Sequence, residues 1–220
     1  MVIAIIFVYY LIIGSLIFSR WRYMHKFGLI NKIILGMLFV TLSLLLSAKN
    51  GAFYNFELFI ILGLFCNSIG DIFLGMCKVE KRNSEFYFYI ALVIITISQI
   101  VYLFASIQLE SFNFESLFIS IFFVILMYLI FNKIVKGTTR AKFALFYAYP
   151  LTIVVINSLI NLLSNSHSKL IIFSIGVTLY WLSDIILFVI KFKVQNRIYD
   201  SINKVLYYTA QLLIAFSIIF

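Results

Sequence analysis

Eight acidic residues are spread along the chain, and two of them, Asp71 and Asp184, stand inside long apolar runs. Glu57, Glu80, Glu85, Glu110, Glu115 and Asp200 lie between such runs or at their edges. An Asp at the centre of a membrane helix costs roughly 2.5–3.5 kcal/mol on the insertion scale and is by default a functional group. No basic residue lies within one helical turn of either carboxyl. Two carboxyls in a low-dielectric site can divide into one protonated and one ionised group, titrating as a unit. Such a pair supplies a general acid and base, or a relay for a transported proton. The structural alternative is a protonated Asp that bonds one helix to another.

Spacing argues that the two act together. Asp71 precedes Lys78 by seven residues, and Asp184 precedes Lys191 by seven. If both helices run the same way, the carboxyls share one depth, about 10 Å beneath the interface. Their surroundings also match. Gly63, Asp71, Ile72, Leu74 and Lys78 correspond to Gly176, Asp184, Ile185, Leu187 and Lys191 at a constant offset of 113. An offset of four spans preserves orientation, so a duplication would give two parallel four-helix repeats about an axis along the membrane normal. The aspartates would then face each other across a central cavity.

Polar residues near them recur at helical spacing. Gly63, Asn67, Asp71 and Gly75 form one stripe, and Gly176, Tyr180 and Asp184 another. Asn203, Tyr207 and Gln211 step by four; Gln99, Tyr102 and Ser106 share a face, as do Asn157 and Asn161. Singly, each reads first as an interhelical hydrogen bond. Together they describe a bundle with a polar interior. They also supply the residues expected to bind or orient substrate and water: Asn67, Gln99, Tyr102, Tyr180, Asn203, Tyr207 and Gln211. Lys78 and Lys191 read first as interfacial anchors, and secondarily as snorkelling contacts to a headgroup phosphate.

The elements that must position these groups follow from composition. Of 220 residues, 64% are hydrophobic and 11% charged, with one Pro and nine Gly. That is too little polar surface to coat a soluble domain. Intrinsic disorder, a secreted disulfide scaffold and a nucleic-acid module are excluded. The reading is an all-α polytopic membrane protein forming one domain over residues 1–220. Cys66 and Cys77 are eleven residues apart on one helix, roughly 16 Å, too far for a disulfide. His25 and His167 fall in loops, so no His-based metal site is expected.

Apolar runs of about 20 residues give eight spans. They are placed at about 1–18, 29–48, 57–77, 86–106, 113–131, 141–163, 169–190 and 200–220. The second, fifth and eighth are short or interrupted, which leaves seven as the alternative count. Pro150 inside the sixth is expected to kink it. Loops after the odd-numbered spans, with their flanks, hold 15 of the 17 basic residues; the other side holds Lys49 and Lys169. The net charge of +9 thus reads as cytoplasmic loops, with both termini outside.

The residues resemble a known family. Gly70-Asp71 followed by Ile72, Phe73 and Leu74 is similar to the first signature of the YhhN-like lysoplasmalogenases. Gly176 through Ser183-Asp184 to Phe192 resembles the second, and Tyr207-Tyr208-Thr209-Ala210-Gln211-Leu212 the closing span. The resemblance extends from about Lys32 to Phe220. Where the family typically opens the second span with Lys-Pro, this chain has Lys32-Ile33. Where it often has Ala-His before the Tyr of the fourth span, this chain has Ser98-Gln99.

The resemblance implies an eight-span hydrolase of a bacterial cell membrane that cleaves the vinyl ether of lysoplasmalogens. Products would be a fatty aldehyde and a glycerophospho-ethanolamine or -choline. The implied partner is a lysophospholipid within the membrane, Lys32 joins the substrate-binding set, and no cofactor is implied. Acid-catalysed vinyl ether hydrolysis protonates the β-carbon and adds water to the resulting oxocarbenium ion. An aspartate pair suits both steps. The competing reading is a proton-coupled transporter of small molecules or lipids that uses the same aspartates.

Overall fold

The computed structural model describes the backbone of residues 2–49, 54–135, 139–192 and 196–220, and side chains over 5–49, 54–129, 147–190 and 196–220. Lys136 and Lys193 lie outside the described residues, as do the side chains of Lys133, Arg140, Lys142 and Lys191. Among the described residues eight helices follow one another: α1 (Val2–Trp21), α2 (His25–Lys49), α3 (Asn55–Val79), α4 (Ser84–Leu109), α5 (Glu115–Val135), α6 (Thr139–Ser164), α7 (Ser168–Phe192) and α8 (Arg197–Phe216). Among the described residues there is no strand. In hydrocarbon every backbone N–H and C=O must find a partner inside its own segment, and the helix is the solution open to an apolar chain of this kind.

Helices α2, α3, α4, α6 and α7 contain described stretches long and apolar enough to cross a membrane, and α1 and α5 carry shorter apolar runs. Large apolar side chains point outward in rows. Phe114, Phe118 and Phe122 are 73%, 73% and 64% exposed. In water such a face would drive aggregation, whereas lipid tails cover it without cost. The chain is a multi-pass membrane protein. Helix α8 departs from the rest by turning Asp200, Asn203, Lys204 and Gln211 into the bundle, all buried. Asn196 caps it, its side-chain oxygen accepting from the Ile198 amide at 2.8 Å.

The packing follows a four-helix repeat. Helix α1 packs on α2 as α5 does on α6, α2 on α3 as α6 on α7, and α3 on α4 as α7 on α8; α4 meets α6 as α8 meets α2. The two matched glycines sit at equivalent close approaches. A Cβ on Gly63 would stand 2.4 Å from the Tyr102 ring of α4, and one on Gly176 would stand 2.8 Å from Ile214 of α8. Small residues are what allow membrane helices to approach this closely. Cys66 and Cys77 form no disulfide among the described residues. Helix α6 runs on through Pro150.

The expected face of Asn157 and Asn161 holds helices together. Asn157 accepts from the Asn113 backbone amide at 2.9 Å and donates to Ser106 Oγ at 2.9 Å. Asn161 accepts from Asn113 Nδ2 at 2.5 Å and donates to the Ser111 carbonyl at 3.0 Å. These bonds tie the α4–α5 connection to α6.

Candidate active site

Asp71 and Asp184 line one cavity. Helix α3 brings Asp71 to it, 6% exposed, and α7 brings Asp184, half-buried. Both helices run in the same direction. Tyr180 of α7 donates to Asn67 Oδ1 of α3 at 2.9 Å, one turn before each aspartate. Helices α3 and α7 therefore meet through side chains around the cavity.

The surroundings of the two carboxyls differ. Lys32, from α2, donates to Asp71 Oδ1 at 3.1 Å and to the Asp71 carbonyl at 3.2 Å. Tyr208, from α8, approaches Asp71 Oδ2 at 3.4 Å. Asp71 is thus ion-paired, although no base lies near it in sequence. Asp184 forms no ion pair among the described residues; Tyr147 of α6 donates to its Oδ2 at 2.5 Å. In each half the helix before the aspartate supplies its donor, but one donor is an ammonium and the other a phenol. The two-fold repeat is broken at the two carboxyls, so they are not interchangeable.

The expected polar interior divides into two layers. Lys32, Tyr180, Asn203 and Tyr207 line the cavity with the aspartates. Asn203 donates to the Ser183 carbonyl at 2.6 Å. Asn67, Gln99, Tyr102 and Gln211 do not line it and form a fully buried layer beside it. There Tyr102 donates to Gln211 Oε1 at 3.0 Å, while both amide atoms of Gln99 and the nitrogens of Asn67 and Gln211 have no protein partner among the described residues. Helical stripes located the interior face correctly. They carry no depth cue that separates the layers.

Sequence reasoning missed Tyr147, Tyr208, Asp200 and Lys204 as cavity residues. Asp200 looked like an interfacial residue at a helix start. It is 7% exposed and paired with Arg20 at 3.2 Å and with Lys204. A signal did exist: Asp200 and Lys204 share the four-residue spacing of Asn203, Tyr207 and Gln211, one position away. Lys78 also lines the cavity rather than serving only as an outward anchor. Glu57, another expected loop or end residue, is 2% exposed in the first turn of α3 and paired with Lys169 at 3.2 Å.

A second, apolar groove adjoins the cavity and shares Leu74, Ile95, Tyr147, Asp184 and Leu187 with it. Phe88, Leu92, Met127, Leu151, Trp181 and Phe188 line the remainder, and the groove is partly open. Trp181 is held there by donating to Thr152 Oγ1 at 3.0 Å. An apolar slot ending on a carboxyl has the shape and chemistry to take a hydrocarbon tail and present its polar end to acid–base groups. Among the described residues no three of His, Cys, Asp or Glu converge as metal ligands.

Fold and site together define an all-helical, multi-pass membrane protein with an intramembrane pair of aspartates. The YhhN family model matches residues 27–218, and the chain belongs to that family. No curated protein and no solved structure matches it.

Proposed function

We propose that the protein is a lysoplasmalogenase-like hydrolase that cleaves a vinyl ether on a single-chain lipid. The observation that carries this reading is that Asp71 and Asp184, differently partnered, share one cavity at the end of an apolar groove. Membership of the YhhN family supports a lysoplasmalogenase-like role.

The asymmetry divides the roles. Asp184, without a cation partner among the described residues and hydrogen-bonded by Tyr147, acts as the acid. Its proton goes to the β-carbon of the vinyl ether, the carbon–carbon π pair forming the new C–H bond. The α-carbon becomes an oxocarbenium ion. Asp71, ion-paired with Lys32, lies across the cavity as the anion that stabilises this cation. The Asp184 carboxylate then takes a proton from the water that attacks the α-carbon. The hemiacetal collapses to aldehyde and glycerol hydroxyl, its hydroxyl proton passing to the leaving oxygen. One water is consumed and the acid is restored.

The test is aldehyde release from lysoplasmalogen by the purified protein in detergent, beside an ester-linked lysolipid of the same chain. Turnover of the vinyl ether alone, slowed in deuterium oxide, is the expected result. No aldehyde in detergent, together with proton-coupled uptake into sealed vesicles, would identify a carrier instead.

A further inference from the structure

At the end of the bundle that carries the basic residues, the described charges do not balance. Asp71 is met by Lys32, and Asp200 by Arg20 and Lys204. Lys78 and Arg197 form no ion pair among the described residues. Lys78 is half-buried and shares the lining of two cavities with Arg20, Lys32 and Lys204, and of the carboxyls there Asp71 and Asp200 are already ion-paired. Withdrawing an ammonium from water beside three other cations is costly unless an anion arrives to meet it. Arg197 is held by donating to the Tyr23 hydroxyl at 2.7 Å, with its guanidinium 5.0 Å above the Tyr23 ring. The rest of its donor fork stays available.

These cations surround a vestibule of about 270 Å³, lined by Arg20, Lys78 and Arg197 together with Tyr23, Asn196 and Asp200. It shares Lys78, Leu187 and Asp200 with the acid cavity. Apolar groove, acid cavity and basic vestibule therefore succeed one another. Lys78 lies two turns along α3 from Asp71, about 10 Å. Asp200 opposes an anion here, but Arg20 and Lys204 already hold it, and it fixes Arg20 at the wall.

We propose that the vestibule is a phosphate subsite, in which Lys78, Arg197 and Arg20 hold the phosphate of a single-chain amphiphile whose tail lies in the apolar groove. This rests on the hydrolase reading for the identity of the tail. The charge imbalance stands without it. Arginine forks match phosphate oxygens in pairs, and lysine adds a point charge. Lysophospholipid and free inorganic phosphate present the same group, and the test separates them.

The experiment uses the full chain in a polyoxyethylene detergent and two fluorescent probes of equal chain length, a single-chain phosphocholine and a monoacylglycerol. Neither has a vinyl ether, so binding is read without turnover. Lys78→Gln is expected to weaken the phosphocholine probe by about tenfold or more, roughly 1.4 kcal/mol. Its affinity for the monoacylglycerol should stay within about twofold. Arg197→Gln, at the exposed rim, should lose about threefold for the phosphocholine alone.

Inorganic phosphate that displaces the phosphocholine from wild type but not from Lys78→Gln marks a site for free phosphate. Without displacement, the site takes phosphate carried on lipid. Unchanged phosphocholine affinity in Lys78→Gln overturns the subsite. If that variant loses both probes, Arg197→Gln decides, and unchanged phosphocholine affinity there overturns it equally. Selective phosphocholine binding by a protein that releases no aldehyde keeps the subsite and removes the reaction. Aldehyde release with probe affinities indifferent to Lys78 does the reverse.

Discussion

Tyr180 and Asn67 are joined by a hydrogen bond of 2.9 Å and separated by 113 residues, the same offset that separates Asp184 from Asp71. The bond locks α3 and α7 in parallel register. Further along the same pair of helices, the Phe56 and Phe173 rings meet at 6.1 Å and Lys169 reaches Glu57 at 3.2 Å. With register set at these points, the next turn places both carboxyls at one level. Equal depth is therefore a consequence of packing along the whole helix pair.

Substituting the aspartates should separate their roles. Asp184→Asn is expected to fold normally and to lose activity by at least about 10²-fold, the lower end of what an acid–base group contributes. Asp71→Asn should lose comparable activity and also stability, by about 3 kcal/mol, because it strands the Lys32 ammonium. Adding Lys32→Gln to Asp71→Asn should recover thermal stability without recovering turnover. Thermal melts beside aldehyde release read both quantities. Wild-type turnover in Asp184→Asn would falsify the acid assignment.

Tyr147→Phe removes one hydroxyl and leaves the ring in place. The hydrogen bond to Asp184 is part of what holds the carboxyl toward the cavity. Turnover should fall by about 10- to 100-fold with little change in KM, since a hydrogen bond to a charged or ionisable group is worth about 1.5–3 kcal/mol. An unchanged kcat would mean that Asp184 is oriented by its helix alone.

Gly176→Ala should destabilise the protein by about 1–3 kcal/mol, the usual cost of overpacking. The added carbon would meet Ile214 Cγ1 at 2.8 Å, but also the α8 backbone at 3.1 Å and 3.3 Å, which cannot rotate away. Gly14→Ala is the control, since nothing lies within 4 Å of its new carbon. Its melting temperature should hold or rise, as alanine favours helix. Equal melting temperatures for the two variants would remove the close approach of α7 and α8.

The charge asymmetry predicts the topology. With Cys66 and Cys77 replaced, a cysteine at position 136 should resist an impermeant thiol reagent applied to intact cells, while one at position 220 should react. Labelling at 136 and protection at 220 would invert the orientation.

Composition by itself determined an all-helical membrane chain, because an apolar backbone without water to bond must bond to itself. The eight runs were visible in the sequence and became eight helices. The helices extend past the expected runs at most boundaries, since flanking polar residues such as Lys26, Lys49 and Lys78 continue the turns. The two aspartates, their common offset and the glycines beside them were legible too. Periodicity reports which face of a helix is turned inward.

Tertiary structure decided what that face meets. Lys32 stands 39 residues before Asp71, and Tyr147 stands 37 before Asp184. Those donors arrive from neighbouring helices, whose rotation is set by packing against glycines and aromatic rings. No local spacing encodes that rotation. For the same reason the sequence showed two equivalent carboxyls, and only the folded chain gave Asp71 an ammonium partner and Asp184 a phenol. Depth was likewise beyond a helical stripe: Gln99 and Tyr207 both lie on inward faces, yet only Tyr207 borders the cavity.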